Sequence, residues 1–249
     1  MGKNIFIAGK ELPGVAGFAE GFVLKENNVV LALSAEPEDS GMSADSGVSG
    51  VKKIEWRRGS GVAARSAVIQ AESEIGFIDD FILYYDSAFY SSVFDEFSTE
   101  YCAKACDSLV SSFQFLALEI MARVKQHKSR SRIVFALKAQ PSVKDVILSP
   151  NLKSLVQNPS NAFVAAGEAA FATFAENIAA ASAEDENLSV LLVAGDDQNE
   201  VMRNDSSFSS WLNGYISACD ELKNKPSAKN SASWVKAGSK NPGGFSLFK

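Results

Sequence analysis

The chain has one histidine and three cysteines in 249 residues, and each scarcity removes a class of chemistry. His127 lies in a stretch rich in Lys, Arg and Ser, so no imidazole stands ready to activate a serine or cysteine nucleophile. Cys102, Cys106 and Cys219 form an odd, sparse set that suits a reducing compartment. Cys102 and Cys106 are one helical turn apart, but no further Cys or His pair completes a tetrahedral site, so no metal is expected. Tyrosine occurs only at 84, 85, 90, 101 and 215, which leaves the chain from Cys102 to Gly214 without a phenol. No apolar run reaches the ~18 residues that span a bilayer. A net charge of -6 argues against a nucleic-acid backbone or an anionic membrane as the main partner. The chain opens Met1-Gly2-Lys3-Asn4 and enters a strand at once, with neither a signal peptide nor a myristoylation pattern, so a cytoplasmic location is expected.

What is present is enough for one substantial core: 46% of the residues are hydrophobic, and the length suits a single α/β unit over 1–249. Asn4 to Leu33 organises it. Asn4 to Gly9 is a short apolar run ending in Gly, the pattern of a strand buried on both faces. Gly14 to Leu24 carries apolar residues at helical spacing, Asn27-Asn28 breaks it, and Val29 to Leu33 is a second buried strand. This βαβ unit has the shape of those that open dinucleotide-binding sheets. Gly9 and Gly14 could let backbone N–H groups approach a pyrophosphate, and Gly17 would permit close helix–strand packing. Pro13 removes one donor, however, and Glu11 would repel phosphate unless it turns away. A unit that folds without nucleotide and one that binds it both remain open.

Further on, 34–50 is rich in Ser, Gly, Ala, Asp and Glu and reads as an exposed loop. Leu33-Ser34-Ala35 offers neither the acid that selects NAD nor the Arg that selects NADP; Glu36 is the nearest acid. Val51 to Trp56 alternates like an edge strand. Arg57 and Arg58 follow, able to meet a phosphate or an adenine, or to be solvated or salt-bridged. Ser60 is a reasonable N-cap for a helix over Val62 to Ser73. Ile75 to Tyr85 returns as buried strand, and Phe94 to Lys125 reads as one long helix with two apolar stripes. Ile133 to Leu137 is another strand. A long loop is expected over 138–161, overhanging the crevice, with a short helix over Val146 to Val156. Ala162 to Ala183 is a helix of Ala and Phe, Leu188 to Gly195 a strand, and Trp211 to Leu222 a helix.

In this order the pieces resemble the short-chain dehydrogenase/reductase family over nearly the whole chain. Gly9 to Gly14 falls on its glycine-rich turn, and Gly76 to Leu83 is similar to the approach to its Asn-Asn-Ala-Gly motif. Leu109 to Met121 is similar to its Asn-bearing helix, Arg132 to Ala136 falls on the following strand, and Gly243-Gly244 matches its C-terminal glycine pair. The resemblance implies a single doubly wound Rossmann-like domain whose parallel sheet has about seven strands, flanked by helices on both faces. It also implies NAD or NADP chemistry on a carbonyl/alcohol pair by Asn, Ser, Tyr and Lys. Those positions fall here on Ser108, Lys138 or thereabouts, Phe163 and Gly167, while the Asn-Asn-Ala-Gly motif becomes Tyr84-Tyr85-Asp86-Ser87. No shift of register supplies a Tyr or Lys to Ala162–Ala183, whose titratable groups are Glu168 and Glu176.

The expectation is a catalytically degenerate protein of this kind with a binding, regulatory or scaffolding role. It would form a homodimer or homotetramer through helices near 109–124 and 163–181. The alternative is an atypical NAD(P)-dependent oxidoreductase with Lys138, Tyr84, Tyr85 or Asp86 as replacement proton donor and Gly9, Gly14, Tyr84 and Asp86 at the cofactor.

Overall fold

The computed structural model describes residues 2–11, 14–34, 50–140, 161–221 and 232–240. In chain order the elements are β1 Asn4–Ala8, α1 Gly14–Val23, β2 Asn28–Leu33, β3 Val51–Glu55, α2 Gly61–Ile75, β4 Asp80–Asp86, α3 Ser87–Val93 and α4 Thr99–Ala105. A π-helical segment, Cys106–Ser111, joins α4 to α5 Ser112–His127. Then come β5 Ser131–Ala139, α6 Asn161–Ala181, β6 Leu188–Asp196, α7 Asp205–Glu221 and β7 Val235–Lys236. The seven strands form one parallel sheet in the order β3-β2-β1-β4-β5-β6-β7. The expected α/β class and doubly wound sheet are therefore observed. The chain winds outward in one direction from β1 and in the other from β4, so the topological switch lies between those two strands.

Strand β4 is buried along its whole length, and its alternating side chains supply both cores. Phe81, Leu83 and Tyr85 join Leu109, Phe113, Leu116 and Phe171 under α2, α5 and α6. Ile82 and Tyr84 join Phe18, Phe22, Phe208 and Leu212 under α1 and α7. At the N-terminal end of the sheet Asp80 and Asp220 are each gripped by Lys3 and Arg132. Lys3 Nζ lies 2.9 Å from Asp80 and 2.5 Å from Asp220, and the Arg132 guanidinium 3.0 and 2.5 Å from the same two.

Several boundaries differ from the sequence reading for identifiable reasons. Helix α2 continues through Ile75 and stops at Gly76, whose φ of 85° only glycine adopts freely, so the strand expected from Ile75 begins at Asp80. Ser60 does cap α2, its side chain accepting from Ala63 N. The long helix expected from Phe94 starts at Thr99, because the Ser98 side chain accepts from Tyr101 N and caps it there. By length and composition alone Thr99–His127 could cross a membrane, yet its Leu109, Phe113, Leu116 and Ile120 are core residues. The unexpected α3 follows from Asp86, whose carboxylate accepts from Phe89 N. Helix α7 starts at Asp205 rather than Trp211, with Asn204 Oδ1 accepting from Ser207 N. Lys138, expected to open a loop, is a strand residue of β5. The expected loop over 34–50 apart from its ends, the short helix at Val146–Val156 and the Gly243-Gly244 pair lie outside the described residues.

Candidate functional site

The crevice of an open α/β sheet lies outside the carboxyl ends of its strands at the switch point, here above Ala8 and Asp86. Two sets of paired charges lie in the described part of it. In the first, Lys10, carried by the turn after β1, lies buried with its Nζ 2.9 Å from Asp86 Oδ2 and 2.6 Å from Asp205 Oδ1. The same ammonium stands 4.8 Å from the centre of the Tyr84 ring. In the second, Glu11 accepts from Ser34 N at 3.0 Å, from Ser34 Oγ at 2.7 Å and from Arg58 Nη2 at 3.0 Å. Arg58 also donates to Tyr90 Oη at 2.7 Å and to the Ser108 carbonyl at 3.1 Å, and its guanidinium lies over the Trp56 ring. Tyr90 in turn donates to the Gly9 carbonyl at 2.5 Å. Burial opposes the charge on Arg58, but Tyr90 and Glu11 outweigh it and hold the guanidinium pKa above its ordinary value.

The glycines expected to cradle phosphate are closely packed. Gly9 sits at φ 102°, and a Cβ there would strike the Tyr84 carbonyl and the Phe113 ring. A Cβ on Gly14 would lie 2.9 Å from Lys10 Cε and 3.4 Å from Asp205 Oδ2. One on Gly17 would be 3.7 Å from Asp205 Cβ, and one on Gly21 would overlap Ser209. Gly14, Gly17 and Gly21 thus mark the side of α1 against which α7 packs, with Asp205 and Ser209 one turn apart on the facing helix. The sequence pattern assigns Gly17 to helix–strand packing; its close neighbour is instead α7.

The remaining expected site residues are dispersed. Tyr84 and Tyr85 are wholly buried on opposite faces of β4. Tyr85 Oη donates to the Val164 carbonyl at 2.8 Å, whereas the Tyr84 hydroxyl has no hydrogen-bond partner among the described residues. Burial foremost, then the carboxylates of Asp86, Asp205 and Asp197, push the Tyr84 phenol well above its ordinary pKa; burial likewise raises Tyr85. Both are weaker acids than a free phenol. Lys138 is paired with Asp197 at 2.8 Å; burial opposes its charge, but Asp197, Asp86 and Asp205 keep its pKa above the usual value. Ser108 lies in the π segment, where its carbonyl accepts from Arg58 and from Ser112 Oγ. Phe163 stacks on Phe97 with ring centres 5.2 Å apart. Gly167 packs so closely that a Cβ would stand 2.6 Å from Tyr85 Oη and 2.7 Å from Leu109 Cβ. On the same helix Glu168 accepts from Ser87 Oγ at 2.7 Å and Gln140 N at 2.9 Å, and Glu176 from Trp234 Nε1 at 2.6 Å.

The sequence reading missed Lys10, Asp205, Ser34 and Tyr90 as members of the site. Lys10 had a signal in its place directly after the β1 glycine; the others become visible only when the sheet brings their elements together. Arg57 is exposed and paired with Glu55, and Arg58 is salt-bridged inside the crevice, so of the alternatives for the two arginines the structure displays ion pairing. Among the described residues no group of three or more metal-ligating side chains converges.

This is the crevice of an open, doubly wound α/β sheet. More narrowly, the chain has the short-chain dehydrogenase/reductase fold. A short chain dehydrogenase from Mycobacterium smegmatis superposes with a TM-score of 0.65 at 13% identity, over 96% of this chain and 93% of the other. An NADH-dependent reductase complexed with NAD gives 0.59 at 12% identity over 94% of each chain. A carbonyl reductase from Pseudomonas aeruginosa PAO1 gives 0.56 at 15% identity, over 94% of this chain and 96% of the other. No protein-family model and no curated protein matches the sequence.

The described side chains where a dinucleotide would lie in this fold are engaged with one another. The Asp205 carboxylate lies close to the start of α1, and the Lys10 ammonium beside it is held by the two carboxylates of Asp86 and Asp205. Beside the end of β2 the Glu11 carboxylate is engaged by Ser34 and Arg58.

Proposed function

We propose that this protein is a catalytically silent member of the short-chain dehydrogenase/reductase fold, acting through binding or assembly rather than by turning over a carbonyl substrate. The observation that carries the reading is the packing at Gly167. At Gly167, the position on which the sequence resemblance sets the lysine that assists the tyrosine, a Cβ would stand 2.6 Å from Tyr85 Oη and 2.7 Å from Leu109 Cβ, which leaves no space for a longer side chain. Phe163, where the tyrosine would stand, has no proton to transfer and spends its ring on Phe97. Lys138, Tyr84, Tyr85 and Asp86, which an atypical oxidoreductase would need as donors, are ion-paired or buried. Proton transfer requires a group of suitable pKa within reach of the substrate, and among the described residues the crevice offers none in that condition.

The same reading includes self-association through the helices near 109–124 and 163–181. Phe115 and Leu118 stand exposed on α5, and Ala165, Ala166 and Ala169 are exposed on α6, a pairing of large and small apolar groups that suits helix–helix contact between copies. Incubation with NADH or NADPH and a panel of aldehydes and ketones tests the catalytic half; no cofactor oxidation above the protein-free rate is expected, and saturable turnover overturns it. Multi-angle light scattering tests the assembly half. A dimer or tetramer is expected, and a monomer at micromolar concentration removes it.

A further inference from the structure

Residues four apart on a helix share one face, a turn above one another, and Cys102 and Cys106 stand at that spacing. The backbone between them is α-helical: Cys106 N donates to the Cys102 carbonyl, and Cys106 has φ −57° and ψ −44°. The two thiols are in hydrogen-bond contact, with Cys106 exposed and Cys102 half-buried. We propose that Cys102 and Cys106 form a redox-active dithiol, a modification site that exchanges with small-molecule disulfides and closes to an intramolecular bond at the entrance to the π segment.

Three observations carry it. Helix geometry puts the two Cα atoms about 6 Å apart, within the roughly 4.4–6.8 Å that a disulfide spans but near its long end. The bond therefore forms with the turn drawn tighter than an α-helix prefers, which makes it a reducible one. The turn also sits at a change of helix type, since α4 ends at Ala105 and the wider π turn begins at Cys106, so the shortening falls at a junction and not inside an unbroken helix. And access is unequal in the way exchange requires, with the exposed Cys106 meeting the oxidant and the half-buried Cys102 behind it to resolve. Burial first, then Cys102 and Asp107, push the Cys106 thiol up, so the pair rests protonated and exchange at neutral pH is slow. With oxidised glutathione as the co-reactant the step balances. The Cys106 thiolate attacks one glutathione sulfur and expels the other glutathione as a thiolate; Cys102, its proton lost to water, then attacks Cys106 Sγ and expels the second. Two cysteine thiols are oxidised, and one glutathione disulfide is reduced to two thiols. Cys219, on α7 at the other face of the sheet, takes no part. Two residues beyond Cys106 the Ser108 carbonyl accepts from Arg58, so the modified turn adjoins the crevice.

Excess oxidised glutathione, added to the folded full chain and followed by mass spectrometry and thiol counting, is the test. The wild type is expected to lose two of its three free thiols and two hydrogens, with no glutathione retained at that pair. Trypsin cuts between the cysteines at Lys104, so the closed form appears as two peptides joined by a disulfide. Cys102→Ser is expected to stop at a lasting glutathione adduct on Cys106, Cys106→Ser to form no such bond, and Cys219→Ser to close as the wild type does. Dithiothreitol is expected to restore both thiols. A wild type whose adducts never resolve, whose new bond joins Cys219 instead, or whose three thiols stay free overturns the proposal, as does a bond that withstands dithiothreitol. Should a variant not fold, judged by circular dichroism, the peptide map of the wild type decides alone.

Discussion

Replacing Gly167 by alanine separates a position closed by packing from one merely vacated by a lost side chain, because the two cases differ in sign. In the interior of an exposed helix, Gly→Ala stabilises by about 1 kcal/mol through the backbone entropy of the unfolded chain and better helix propensity. Were there space at Gly167, that gain would appear in full. The structure instead puts the new methyl 2.6 Å from Tyr85 Oη and 2.7 Å from Leu109 Cβ, both in the buried core. Neither contact involves the free end of a flexible side chain, since Tyr85 is anchored through its hydroxyl to the Val164 carbonyl and the Leu109 atom is next to backbone. Overpacking of this kind costs about 1–3 kcal/mol, and disturbing the Tyr85 hydrogen bond adds on the order of 1 kcal/mol. Set against the propensity gain, the net is a destabilisation of about 1–3 kcal/mol. In a chain of this size it lowers the thermal midpoint by roughly 2–12 °C. Denaturant titration with far-ultraviolet circular dichroism and tryptophan fluorescence reads it. A variant more stable than wild type refutes the packing argument, and with it the statement that no lysine could stand there.

Three further outcomes follow from the same geometry. Arg58→Met should cost about 3 kcal/mol in a urea titration, because it strands Glu11 in a largely dry site, and adding Glu11→Gln should restore part of the loss; additive costs would show the pair to be uncoupled. Tyr90, whose pKa burial raises to about 12 despite the Arg58 charge beside it, stays neutral in the folded chain when a free phenol would ionise. Its folded value lies above its unfolded one, so its contribution is complete below about pH 10 and declines as the pH rises towards 12. Tyrosinate absorbance should therefore appear late and together with loss of the fold. Finally, Ser60→Ala should cost about 1 kcal/mol by freeing Ala63 N at the start of α2, without changing any property of the crevice.

The sheet was legible because its strands are short apolar runs: Asn4–Ala8, Asn28–Leu33 and Ser131–Ala139 each show the composition of a strand covered on both faces. Helix starts were less legible where the cap is one polar side chain among several. Ser98 ahead of α4 and Asn204 ahead of α7 moved boundaries by a turn or more. The crevice was legible only in what it lacks. That Ala162–Ala183 contains neither Tyr nor Lys can be counted in the sequence, whereas the close contact of Gly167 with Tyr85 and Leu109 is one that only the packed sheet creates. Lys10 and Asp205 are 195 residues apart, and no local pattern links them. The glycines of α1 carried a signal that two structures could satisfy, a phosphate turn or a close helix pair, and the structure displays α7 packed close against them.

Titration of the wild-type protein with NADH and NADPH, followed by nicotinamide fluorescence, bears most directly on the claim that this fold keeps its crevice for itself. No saturable enhancement or quenching is expected up to millimolar cofactor, with light scattering and circular dichroism confirming a folded sample. A saturable signal at micromolar cofactor would mean that the Lys10–Asp205 and Glu11–Arg58 pairs yield to a dinucleotide, and a crevice filled by its own ion pairs would be contradicted outright.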